Sequence, residues 1–107
     1  MSENTTIDYR PAIEKYVKDY FYKYLESVMI NLNEDEFNHI ISIGTSVIET
    51  KWPEIGPGYS GGSFVQAVVD NDLMGAIGRA DHINITFLKF YCQLIYNFNP
   101  YQIGYRE

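Results

Sequence analysis

The sequence predicts an all-α domain: a compact bundle of four helices, with a Gly/Pro-rich loop between the second and third. Three observations carry this expectation. Apolar residues recur at spacings of three and four along most of the chain. No stretch of any length alternates polar and apolar residues at the period of a strand. Helix-start signals stand at Asn33, Ser63 and Asp81. The 107 residues read as one domain, 1–107, large enough to bury about two-thirds of its unfolded surface.

Residues 1–8 are polar and are expected to fray. Pro11 then suits a first helical turn. From there Ile13, Tyr16, Val17, Tyr20, Phe21, Tyr24, Leu25, Val28 and Leu32 form an amphipathic stripe on a helix about 30 Å long. Lys15–Asp19 and Asp19–Lys23 place opposite charges four apart on its wet face.

The second helix opens at Asn33, with Glu36 in capping-box relation. Phe37, Ile40, Ile41, Val47 and Ile48 give its buried stripe, and Gly44 permits close packing. The "KWP" at 51–53 stops it, since the residue before proline avoids the helical region. Six Pro and Gly residues between 53 and 62 mark a loop.

Ser63 and Gln66 form a second capping-box pair, followed by Val65, Val68, Val69, Leu73 and Ala76 as the third stripe. Gly78 ends or bends that helix. Asp81 caps the fourth, whose stripe is Phe87, Leu88, Tyr91, Cys92, Ile95 and Phe98. "NFNP" at 97–100 closes it, leaving a tail at 101–107.

Two stripes are wider than one core face requires. Tyr22, Leu25 and Met29 widen the first, and Phe90, Leu94 and Tyr96 the fourth. Either the fourth helix is enveloped by the others, or Tyr22, Leu25, Met29 and Phe90 meet a second copy or another protein.

The net charge is −6, and the eight Lys and Arg residues are scattered. That argues against direct nucleic-acid binding, which needs a basic stripe. An acidic chain can approach a basic surface on another protein, or its charge can serve solubility alone. Cys92 is the single cysteine, which excludes an internal disulfide. "MSENTTIDYR" lacks the basic-then-apolar pattern of a secretion signal, and no apolar run reaches membrane-spanning length. A cytoplasmic protein with no membrane contact is expected. The sequons at Asn4 and Asn84 carry weight only on a secretory route.

A site, if there is one, belongs at the glycine-rich junction. Ser60, Gly61, Gly62 and Ser63 offer backbone N–H groups and two hydroxyls to an anion at a helix start. The bland alternative is a tight turn with Ser63 capping the helix. There is no "GK[ST]" lysine and no preceding strand, so no known phosphate loop matches. Asp72 falls in the middle of the third stripe, where a carboxylate is expensive unless paired. Arg79, two turns on, stands on the same side. Asp72 is therefore expected to staple the loop to the third helix or to face a ligand together with Arg79.

Catalytic chemistry finds little support. Cys92 flanks an apolar stripe, and His39 and His82 lie in different elements with no nucleophile in a known pattern. "DND" at 70–72 resembles a metal-binding acid pair, but residues two apart on a helix face different ways. No enzyme activity, no metal and no cofactor are expected.

At Gly61–Val65 ("GGSFV"), Asn71–Leu73 ("NDL"), Gly78–Asp81 ("GRAD") and "IYNFNP" at 95–100, the C-terminal half resembles a group of small phage- and prophage-encoded proteins that have no assigned activity. The resemblance implies an accessory role in a host cell's cytoplasm, such as binding and inhibiting a host protein or sequestering a small host signal. The expectation is a non-enzymatic protein that binds a host protein and self-associates as a homo-oligomer. The alternative is a binder of a small anion or nucleotide, using the 58–63 loop with Asp72 and Arg79.

Overall fold

A computed structural model describes residues 8–105. Most of the segment expected to fray, and residues 106–107 of the tail, lie outside the described residues. The regular elements are all helical: α1 (Arg10–Glu26), α2 (Glu34–Lys51), α3 (Ser63–Val69), α4 (Leu73–Arg79), α5 (His82–Thr86), α6 (Leu88–Asn97) and a closing 3-10 turn at Pro100–Ile103. The all-α class holds, and no strand occurs among the described residues. Among the described residues there are six α-helices where four were expected, because the third and fourth each break in two.

α1 ends at Glu26, short of the expected Leu32. The Ser27 hydroxyl donates to the Tyr24 carbonyl at 2.7 Å, and the Val28 N–H reaches only back to Leu25. This tightens and closes the last turn. Asn33 must then be extended (ψ 173°) to cap α2, where the expected capping box with Glu36 forms. Arg10 meets Glu49 at one end of the α1–α2 pair, and Tyr22 lies against Phe37 at the other. The two helices are therefore antiparallel. α6 runs alongside: Tyr16 touches Phe98, and Phe21 touches Phe87 and Phe90.

The core centres on Phe21, whose ring lies 4.8 Å from Phe90, 5.4 Å from Phe87 and 5.5 Å from Phe37. Such tilted and edge-on aromatic contacts add to the gain from burial. Every residue from Gly44 to Glu49 is buried, because α2 is wedged between α1, α3 and α6. Gly44 makes the wedge possible. A Cβ there would stand 2.8 Å from Val17 Cγ1 and 3.0 Å from Leu94 Cδ1.

The expected third helix stops at Val69 by a helix-end motif that periodicity does not reveal. Asn71 adopts a left-handed conformation (φ 60°). Its N–H donates to the Val68 carbonyl at 3.2 Å, and the Asp72 N–H donates to Ala67 at 2.8 Å. These are the paired bonds of a Schellman end, with asparagine where glycine is commoner. Asp72 then starts α4 by accepting from the Gly75 N–H at 2.9 Å. The fourth expected helix begins as anticipated, with Asp81 accepting from the Asn84 N–H at 2.7 Å. It breaks at Phe87 (φ −108°, ψ 19°), where the chain seats that ring in the core.

Candidate functional site

The expected site residues do not converge. The Gly61 N–H donates to Thr50 Oγ1 at 3.1 Å, and a Cβ at Gly61 would collide with Val65. That glycine serves close packing of the loop against α2 and α3. Gly62 occupies the cap position of α3 with no side-chain hydrogen bond, and Ser63 is the first helical residue. The expected Ser63–Gln66 capping box is thus absent, and Gln66 donates instead to Asp70 at 3.1 Å. Ser60 and Ser63 are exposed.

Asp72 also departs from expectation. It is exposed and not buried in a stripe, and its carboxylate is held by Gly75 rather than by the loop amides. Arg79 donates to the Gly75 carbonyl at 3.2 Å. Both side chains crowd the same glycine, yet they form no ion pair among the described residues. The stripe assignment failed because the helix ends at Val69, so the phase that placed Asp72 inward is lost.

A carboxylate that is buried is Glu49, at the end of α2. Its side chain is 6% exposed and accepts from Arg10 Nη2 at 2.6 Å, while Arg10 itself is 45% exposed. Desolvation pushes the Glu49 carboxyl above its ordinary range despite the opposing pull of the guanidinium. Arg10 also lies over the Tyr59 ring at 5.8 Å, and the Tyr59 hydroxyl donates to Ser46 Oγ at 2.5 Å. A cleft of about 420 Å³ opens beside this group, walled by Asp8, Tyr9 and Gly56–Gly58. Sequence reasoning passed over Glu49, although it falls four residues after Thr45 and eight after Ile41, on a buried row.

The groups considered for catalysis are dispersed. His39 Nε2 stands 3.2 Å from Asp81 Oδ2, linking α2 to α5. Cys92 is exposed on α6, and partial burial of its thiol raises its pKa, the wrong direction for a nucleophile. No cluster of three His, Cys, Asp or Glu residues able to hold a metal occurs among the described residues. Asn84 is buried and accepts from the Tyr91 hydroxyl, so that sequon offers no accessible amide.

Among the interface candidates, Tyr22 is exposed, Met29 fully so, and Leu25 partly buried. Phe90 is withdrawn from that set: it is completely buried, between Phe21 and Tyr24. An apolar surface lies on α4, where Leu73, expected in the third buried stripe, is instead exposed beside Met74 and Ile77, which the sequence reading did not single out. Leu73, Met74 and Ile77 are 59%, 81% and 48% exposed, and only Ala76 of that helix is buried. The 70–81 segment also carries exposed Asp70, Asp72 and Asp81 against a single cation, Arg79. No helix is long and apolar enough to cross a membrane among the described residues. In comparison with known proteins, no family model, curated protein or solved structure matches the chain.

Proposed function

We propose that this chain is a non-enzymatic accessory protein that binds another protein through the outer face of α4. The observation that carries the reading is the exposure of Leu73, Met74 and Ile77 on one short helix. Apolar side chains grouped in this way mark contact surfaces more often than chance placement does. Interfaces draw their energy from such a centre, and a charged rim sets the partner's character. Here the flanking charge is acidic, so the partner is a host protein whose apolar contact is bordered by Lys or Arg. A phage origin, which the "GGSFV", "NDL" and "GRAD" stretches suggest, accords with such a role.

The same charges oppose pairing of two copies through α4, because like-signed rims would face each other. Self-association, in this reading, uses the separate surface of Tyr22 and Leu25 beside Ile30 and Phe37, with the exposed Met29 near it in sequence.

The test is capture of partner proteins from host lysate with the full chain and with Leu73→Asp/Met74→Asp, after both are shown to melt alike. The reading requires a protein held by the parent, lost with the α4 variant, retained by Tyr96→Asp, and released at raised salt. Identical capture by the parent and the α4 variant would overturn it.

A further inference from the structure

We propose that the groove between α1 and α6, lined by Tyr20, Lys23, Tyr24, Lys89 and Gln93, binds a small phosphomonoester. The site is independent of the α4 surface. The cavity is about 430 Å³, within the range of small-ligand sites.

Its chemistry is unlike the rest of the molecule. The chain carries a net charge of −6, yet no carboxylate lines this groove, while two ammonium groups do. Arg10 and Lys15 are neutralised by Glu49 and Asp19, whereas Lys23 and Lys89 form no ion pair among the described residues. They stand on neighbouring helices and face one concavity. An anion seated between them gains charge-assisted hydrogen bonds from both.

Two further lining groups, the Tyr20 and Tyr24 hydroxyls, are donors on rings held in place. The Tyr20 hydroxyl accepts from Asn97 Nδ2 at 2.9 Å, which leaves its own hydrogen for a ligand oxygen. The Tyr24 hydroxyl has no hydrogen bond among the described residues. Partial burial raises its pKa, so it keeps its proton. Both rings are fixed against Phe90, at 6.0 and 5.5 Å, and donors fixed before binding lose little freedom on capture. Two ammoniums balance the charge of a phosphate dianion, and the two phenol hydroxyls add donors for its terminal oxygens. The open mouth leaves room for the ester group.

The experiment is an NMR titration of the full chain with inorganic phosphate, glycerol phosphate and adenosine monophosphate, at constant ionic strength. Saturable shifts at the amides of residues 20–28 and 89–93 are expected, with an ester binding more tightly than inorganic phosphate. Lys23→Gln and Lys89→Gln should each weaken binding about tenfold, a typical loss for a charge-assisted contact. Lys18→Gln, outside the groove, should leave it unchanged. All three sites are exposed, so the variants are expected to melt like the parent. Shifts reproduced by sodium chloride, shifts elsewhere only, or affinity indifferent to Lys23 and Lys89 would each overturn the proposal.

Discussion

The Tyr91 hydroxyl donates to Asn84 Oδ1 at 2.9 Å inside the core, with Tyr91 wholly buried and Asn84 nearly so. This bond joins α6 to α5 across the Phe87 break. Tyr91→Phe leaves the Asn84 carbonyl without a partner and is expected to cost about 1–2 kcal/mol in denaturant unfolding. Burial also raises the Tyr91 pKa strongly. The folded state therefore holds that proton more tightly than the unfolded chain. Stability should fall as pH rises above the unfolded tyrosine value of about 10. Tyr91→Phe should flatten that alkaline loss.

The Glu49–Arg10 pair gives a second pH test. Because the folded Glu49 pKa is raised, ionisation of Glu49 opposes folding, and its contribution grows more favourable as pH falls through that value. Arg10→Gln removes the counter-charge from a buried carboxylate. It should cost about 1–2 kcal/mol at pH 7, discounted for the exposure of Arg10, and less at pH 4. Glu49→Gln in the same background should restore stability at pH 7. Equal losses at both pH values would show that Arg10 acts by packing alone.

Two glycines should respond in opposite directions. Gly44→Ala forces Val17, a stiff side chain, or Leu94 to give way and should destabilise by about 1–3 kcal/mol. Gly78 lies within α4 with open space at its Cβ. Gly78→Ala should raise stability by about 0.5–1 kcal/mol. Thermal melts of the two variants settle both.

Asp72 distinguishes a cap from a buried staple. As the exposed cap of α4, Asp72→Ala should cost about 1 kcal/mol, while Asp72→Asn should be nearly neutral. A loss of several kcal/mol from Asp72→Ala would restore the buried role that periodicity assigned it. At Asn71, with φ at 60°, Asn71→Gly should be tolerated and Asn71→Val should not.

Whatever repeated over several turns was legible in the sequence. The faces of α1 and α2, the Asn33–Glu36 box, the stop at "KWP" and the space-saving role of Gly44 all follow from residue spacing and size, whereas on α6 the expected stripe was misphased: Cys92 is exposed, and Phe90 and Leu94 are fully buried in the core. The short helices were not legible, because seven residues give barely two turns of periodicity. Val65, Val68 and Ala76 are all buried, so the stripe through them looked continuous. Only the Asn71–Asp72 pair, one residue ending a helix and the next starting another, announced the interruption. That signal was also what moved Asp72 to the surface and Leu73 with it. The burial of Glu49 could be read from its row with Ile41 and Thr45, but its partner could not, because Arg10 stands 39 positions away.

Ala76 is the one buried residue of α4. The outer side chains of that helix consequently answer to no folding requirement. Exchange of Leu73, Met74 and Ile77 should therefore leave the architecture intact, so change at these positions is expected to follow the partner rather than the fold.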